Sequence, residues 1–343
     1  MTESTHTPSP PLCFTVIGGD LRMIHLCHRL TEEGHTVRTL GCGQDCLPEG
    51  YPYGKPNTNE HSEKNGRIRI CTTLQSASEG ANALILPLPA SRDGITVHCP
   101  RDPTCTVTLK EIEELITRSP GLSLFGGKLP AEFPDAVREN APLGTIVSDY
   151  YESEVLQLRN AYLTAEAAVM TAMELTDASL RDTPTAVVGY GRIGKYLSRL
   201  LRAWDVPVTV CARREEQLFE AADAGCRPLH VDSEDPFGGL ASLCRDTAVL
   251  FNTVPAHVLP RPLLMGLKRD TLLIDLASAP FGVHEKDVQE AAAENGLRYL
   301  RAPSLPGSYA PRDAGRIIAE CILKSLSHTH ENTNQDLKGG NAP

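Results

Sequence analysis

No stretch of this chain reaches the roughly 18 consecutive apolar residues that a membrane-crossing helix needs, so a helical span is excluded from the reading. The opening MTESTHTPSPP lacks both the basic region and the apolar core of a secretory signal, and the expectation is a cytoplasmic protein. Positive charge is scarce as well. With 33 Lys and Arg against 43 Asp and Glu the formal net charge is -10, which makes DNA or any other large polyanion a poor partner. A small anionic ligand needs only a local basic cluster. The 11 cysteines lack the context of a disulfide framework: their number is odd, the chain is long and no export signal precedes them, so reduced, mostly buried thiols are expected. Cys42 and Cys46 with His25 and His28 match no zinc spacing, and the histidine pair falls in a predicted helix, so no metal is expected.

What is present is a globular composition, 41% hydrophobic and 22% charged over 343 residues, enough for two cores. Apolar strand-like runs alternate with amphipathic helical ones, the pattern of α/β domains with parallel sheets. The reading is two Rossmann-like, doubly wound domains joined by a long helix. Residues 1–11 and 327–343 are polar, with little to bury, and are read as disordered tails. Residues 12–150 form an amino-terminal α/β domain for substrate or partner, with strands at CFTVIGG, HTVRTLG, ALILPLP and LSLFGG and a polar insertion at 44–66. Residues 151–308 form a dinucleotide-binding domain that includes the connecting helix, predicted over 150–177, where glycine and proline are scarce. The last amphipathic segment, 312–326, is expected to pack back on the first domain. No internal repeat appears beyond the two halves.

Within VVGYGRIGKYLSRLLRAWDVPVTVCARR the glycines Gly189, Gly191 and Gly194 spell GxGxxG between a strand and a helix, and a second strand follows. The spacing alone is a weak signal; the βαβ context strengthens it. One glycine serves the tight turn, one lets the backbone approach a pyrophosphate, and one lets helix and sheet pack closely, while Arg192 and Ile193 open the helix whose N–H groups face the anion. At the end of the second strand an NAD enzyme places Asp or Glu against the ribose hydroxyl. Here stand Ala212, Arg213 and Arg214. A small residue followed by two guanidiniums admits a 2′-phosphate and pairs with it, so the cofactor is read as NADP. The later strand ends Asn252-Thr253-Val254-Pro255 and Asp275-Leu276-Ala277-Ser278 fall where the carboxyl ends of a parallel sheet line the cofactor crevice. Asn252 and Asp275 could equally cap loops. Gly18-Gly19-Asp20 follows the first strand but lacks the later glycine, and Asp20 would repel phosphate. It is assigned to substrate or interdomain contacts, and Asp20 equally to capping the next helix.

These residues together bring a family into view. VIGGDLRMIHLCHRL, ALILPLP, NAYLTAEAAVMTAMELTD, VVGYGRIG, NTVP, LLIDLASAPFGV and PSLPGSYAPRDAGRIIAECI resemble the A-subunit family of dipicolinate synthase, from about Cys13 to Leu326. The resemblance implies an NADP-dependent enzyme of a spore former's mother cell, oligomeric and working with a flavoprotein-like B subunit. It would form dipicolinate from a dihydro- or hydroxy-tetrahydrodipicolinate by loss of water and hydride transfer. A product with two carboxylates calls for cations, and the candidates are Arg22, Arg92, Lys128, Arg159 and Arg312, with Ser278 beside them. Glu166 is the expected proton-transfer group, with Thr164 and Asp20 as the other catalytic candidates. Two departures stand out: Phe281 occupies a position where the family carries a second glycine, and Ser308-Tyr309 replaces a more basic stretch. Two rival readings stay open. One is a 2-hydroxyacid dehydrogenase, which would need a histidine base such as His257. The other is a module that senses NADP(H) without catalysis.

Overall fold

Strand-forming runs and helical runs take turns from Cys13 onward, and two parallel sheets result. The computed structural model describes residues 10–43, 68–231 and 240–339. The expected tail up to residue 9, the insertion at 44–66 and Cys46 lie outside the described residues. The chain divides into two units: residues up to Gln157 with the segment from Pro311 onward, and Leu158–Ala310.

The first unit contains β1 (Cys13–Ile17), β2 (Thr36–Leu40), β3 (Ile68–Ile70), β4 (Ala83–Ile85), β5 (Ser123–Gly126) and β6 (Val147–Asp149), hydrogen-bonded in the order β3-β2-β1-β4-β5-β6. Every pairing is parallel. The second unit repeats that topology with β7 (Thr185–Val188), β8 (Val208–Ala212), β9 (Arg227–His230), β10 (Val249–Asn252), β11 (Leu272–Asp275) and β12 (Arg298–Arg301), in the order β12-β11-β10-β7-β8-β9. Its central strands are wholly buried because helices cover both faces. One apolar cluster gathers Val187, Val210, Phe251 and Ile274, and a second gathers Ala186, Leu250, Leu263 and Leu273. The edge strands β3, β9 and β12 are only partly buried, and β9 carries Pro228, which an edge position tolerates.

Two helices complete the first unit. The helix Leu21–Glu32 buries Met23, Leu26, Cys27 and Leu30, and the last helix, Pro311–Gly339, packs against it. Their closest approach is at Gly315, where a Cβ would stand 2.4 Å from the backbone oxygen of Arg22 and 2.8 Å from the Cβ of His25. His25 sits in this contact, and its pKa is lowered to about 4 by burial, by His28 and by Arg312. The last helix does not stop at Leu326. Where composition predicts an unordered tail from Ser327, the helix runs on to Gly339. No proline interrupts that stretch, and extending a helix already nucleated by packed residues costs little. The connector is a 3-10 turn, Tyr150–Glu152, followed by the helix Glu154–Leu175.

Candidate dinucleotide and anion sites

In the second unit the chain leaves β7 through Gly189, whose φ of +95° lies in the left-handed region that glycine enters without cost. A Cβ there would stand 2.4 Å from Thr253 Oγ1. At Gly194 a Cβ would stand 2.2 Å from the Gly189 carbonyl oxygen, so helix and turn meet at backbone contact. Gly191 differs: a Cβ added there would meet nothing within 4 Å. Its space opens outward, on the side from which a ligand approaches. Gly191 is also the N-cap of the helix Arg192–Ala203, and no side chain caps that end. The first N–H groups of the helix therefore point at an open surface with the positive end of its dipole, an arrangement suited to a pyrophosphate. Ile193 in the first turn packs on the core, whereas Arg192 is exposed.

Ala212 closes β8 as a buried residue, and Arg213 and Arg214 follow it, both exposed. Arg214 is the N-cap of the helix Glu215–Asp223, and its charge helps hold Glu220 below the usual carboxylate range, after the hydrogen bond from Lys195. No carboxylate occupies the strand end itself. The residues present thus fit a dinucleotide.

The later strand ends act differently from the expectation that Asn252 and Asp275 contact ligand. Both side chains are 0% exposed. Asn252 Nδ2 donates to the Val254 carbonyl at 3.0 Å and to Asp275 Oδ1 at 2.8 Å, and its Oδ1 accepts from Val254 N at 3.1 Å. Asp275 accepts from the backbone N–H of Ala277 at 3.2 Å and of Gly282 at 2.8 Å. The pair is a buried clamp between two loops, and each polar atom is satisfied within it. Thr253 is tied to the Val188 carbonyl at 3.0 Å and lies against the glycine turn, and Pro255 is exposed beyond it. Phe281 adopts φ 71°, in the left-handed region, next to the Ala279-Pro280 segment. Arg301 stacks 4.2 Å from the Phe281 ring centroid. Ser278 is exposed, and its carbonyl accepts from Phe281 N. His257 stacks on His284 with ring centroids 3.8 Å apart.

On the connecting helix, Thr164 is 5% exposed and donates its hydroxyl to the Asn160 carbonyl at 2.8 Å. It is therefore spent within the helix rather than offered to a ligand. Glu166 is half-buried, and its charge and hydrogen bond raise the pKa of the exposed Tyr162 phenol. Arg159 is half-buried on the same helix.

The first unit has its own site at the carboxyl end of β1. Asp20 is the N-cap of the helix Leu21–Glu32 and accepts from Arg22 N at 3.0 Å. Arg22 then turns back: Nε reaches Asp20 Oδ1 at 2.9 Å, and Nη2 reaches Oδ2 at 2.7 Å and the Leu88 carbonyl at 2.5 Å. Arg22 is buried in this ion pair, whereas the Asp20 carboxylate stays 35% exposed. Asp20 thus takes the capping role, one of the two expected of it, and two guanidinium nitrogens of Arg22 are engaged by Asp20 and the Leu88 carbonyl. Arg22 still contributes field. With burial, it lowers the pKa of Lys128, whose ammonium lies 4.9 Å over the Tyr151 ring. It also adds to burial and Arg92 in lowering His98. Asp149 accepts from the backbone N–H groups of Lys128, Leu129 and Tyr151 and so fixes the Lys128 turn. His98, Asp149 and Tyr151 are absent from the sequence-predicted set. The Asp-Tyr-Tyr run directly after β6 is the one available signal, and nothing in the sequence marks His98. Arg312 is exposed at the start of the last helix, with its charge near His25.

Among the described residues no cluster of His, Cys, Asp and Glu could hold a metal ion, and no helix is long and apolar enough to cross a membrane.

Comparison with known proteins agrees with this layout. Residues 13–141 match the family model of the N-terminal domain of the dipicolinate synthase A subunit. The A subunit of dipicolinate synthase from Bacillus subtilis (strain 168) is 27% identical over 319 residues, covering 92% of this chain and 96% of the relative. The crystal structure of the dipicolinate synthase A chain from Bacillus subtilis superposes with a TM-score of 0.73 at 26% identity, over 94% of this chain and 98% of that one. The fold extends to a transhydrogenase from Sinorhizobium meliloti, with a TM-score of 0.59 at 15% identity over 91% and 92% of the two chains.

Proposed function

Because this chain is related to the A subunit of dipicolinate synthase along nearly its whole length, we propose that it is an oxidoreductase that uses NADP to form dipicolinate. The observation that carries the cofactor half is the glycine turn: an open Gly191, an uncapped helix start and two arginines at the end of β8. Gly191 and the first turn of Arg192–Ala203 hold the pyrophosphate, and Arg213 and Arg214 pair with the 2′-phosphate. The Asn252–Asp275 clamp keeps the loops around that turn in shape. Bound there, the dinucleotide supplies the hydride acceptor.

The substrate is a hydroxy-tetrahydro- or dihydrodipicolinate. Loss of water from the hydroxylated ring, then departure of one hydride and one proton, leaves the aromatic product. Lys128, held by Asp149 and Tyr151, binds a ring carboxylate, with Arg92 and Arg312 of the same unit as further candidates for the second. Arg22 keeps the field at Lys128 positive, and its pair with Asp20 sets the turn. Glu166 takes the proton, relayed through Tyr162, to which it is hydrogen-bonded. Kinship with one component of a multi-component synthase supports a working partner of the B type, met in the cytoplasm.

The test combines the purified chain with and without that partner, NADP and a system generating dihydrodipicolinate. Growth of the reduced-dinucleotide absorbance together with dipicolinate is expected. Tight NADP binding without turnover, with the partner present, would support a sensing role instead.

A further inference from the structure

The first unit holds a pair of thiols that the proposed chemistry does not use. They flank the loop Cys99-Pro-Arg-Asp-Pro-Thr-Cys105, drawn tight by hydrogen bonds from Asp102 N to the Cys99 carbonyl and from Cys105 N to the Asp102 carbonyl. Their sulfurs converge on one point: a Cβ on Gly41 would stand 2.6 Å from Cys105 Sγ and 3.0 Å from Cys99 Sγ. The thiols are hydrogen-bonded to each other. Access is unequal. Cys105 lines a cavity of about 560 Å³ together with Arg101, Asp102, Thr104 and Glu111. Cys99 is buried and does not line it.

The same loop reaches the turn that carries the Asp20–Arg22 ion pair. Gly19 N donates to the His98 carbonyl at 2.8 Å, and a Cβ on Gly18 would stand 2.6 Å from Cys99 Sγ. Gly18 and Gly19 lead directly into Asp20 and the Arg22 ion pair. A displacement of Cys99 therefore acts on that turn through direct contact.

We propose that Cys99 and Cys105 are a reversible modification site, oxidised by hydroperoxides to a disulfide that re-sets the Gly18–Arg22 turn. Cys105 is the attacking thiolate and Cys99 the resolving thiol. The Cys105 sulfur attacks a peroxide oxygen, the O–O bond breaks, and a sulfenic acid and one water are produced when hydrogen peroxide is the oxidant. The Cys99 sulfur then attacks the Cys105 sulfur, the S–O bond breaks, and a second water leaves. Two thiols and one hydrogen peroxide give one disulfide and two waters; the thiols are oxidised by two electrons and the peroxide is reduced by two. The electrostatics agree with this order. The hydrogen bond between the thiols lowers Cys105, against burial and the charges of Asp102 and Glu111, and raises Cys99. Reduced thiols are the resting state in a reducing compartment, and disulfides that form there serve transient or sensing roles.

Trypsin supplies a direct test, because it cuts after Arg92, Arg101 and Lys110 and so separates the two cysteines. The full-length reduced chain is treated with hydrogen peroxide, alkylated, digested and analysed by mass spectrometry. Residues 93–101 and 102–110 should appear as one disulfide-linked pair that dithiothreitol releases, with both alkylation sites lost together. In Cys99→Ser the Cys105 sulfenic acid should persist and be trapped by a dimedone probe. In Cys105→Ser the peptide holding Cys99 should stay fully alkylated. Hydrogen exchange over Gly18–Arg22 should change on oxidation in the wild-type chain and return on reduction. Full alkylation of both cysteines after peroxide, a pairing of Cys105 with Cys42 instead, or unchanged exchange at the turn would each overturn the proposal. None of these readouts depends on the dinucleotide chemistry, so failure here leaves the proposed function standing.

Discussion

The two units share one strand order and place a helix after the first strand at the same topological point, yet the turns entering those helices are opposites. In the second unit the turn is bare backbone: Gly191 caps nothing with a side chain, and the helix start is open. In the first, Asp20 caps the helix and Arg22 folds back on Asp20, so the helix end is neutralised by the protein itself. The same positive pole is left for a ligand in one case and filled by a carboxylate in the other. A shared topology thus says where a ligand site can form, and the residues of the turn decide whether an anion meets backbone or side chains.

Four measurements would break or sharpen that contrast. The largest effect is expected for Arg22→Met, which strands Asp20 and the Leu88 carbonyl without their partner. Urea unfolding should show a loss of about 3 kcal/mol, as for other broken buried pairs, with NADP affinity in the second unit nearly unchanged. Replacing both Arg213 and Arg214 by Ala should do the reverse: stability holds, NADP binding weakens by roughly 2 to 4 kcal/mol in a titration, and NAD binding barely moves. Equal loss for both dinucleotides would end the 2′-phosphate reading. Lys128→Met should raise the KM for substrate about tenfold, ~1.4 kcal/mol, with kcat changed less than about twofold. The last measurement is a pH dependence at the helix pair of the first unit. His25 stays neutral there down to about 4, whereas its unfolded-state value is about 6.5. The unfolded chain therefore takes up the proton first as pH falls, and stability is lost between about pH 6.5 and pH 4. The unfolding midpoint should drop over that window, and His25→Gln should flatten the drop.

The central strands are legible in the sequence because they are continuous apolar runs, such as Ala83–Ile85 and Thr185–Val188, buried on both faces. The edge strands Ile68–Ile70, Arg227–His230 and Arg298–Arg301 are not. Half-exposed, charged and short, they owe their conformation to a neighbour's backbone rather than to their own pattern. The glycine turn is readable because each glycine answers a steric demand local to the βαβ unit. Side chains at the ends of later strands are harder. Asn252 and Asp275 stand where ligand-binding groups often stand, and only the geometry shows them bonded to each other. Thr164 misleads for a related reason: a sequence does not display a hydroxyl turning back on its own helix. His98 comes beside Asp20 and Arg22 through a long loop, a proximity that no spacing encodes.

The packing of Pro311–Gly339 on Leu21–Glu32 has a consequence for biogenesis. During translation the second unit can close while the ribosome is still adding residues, because everything it requires lies between Leu158 and Ala310. The first unit, although synthesised earlier, must wait with the apolar side of Leu21–Glu32 uncovered until the final helix leaves the exit tunnel. A chain cut short before Pro311 would therefore leave the helix Leu21–Glu32 without the neighbour that covers its outer side.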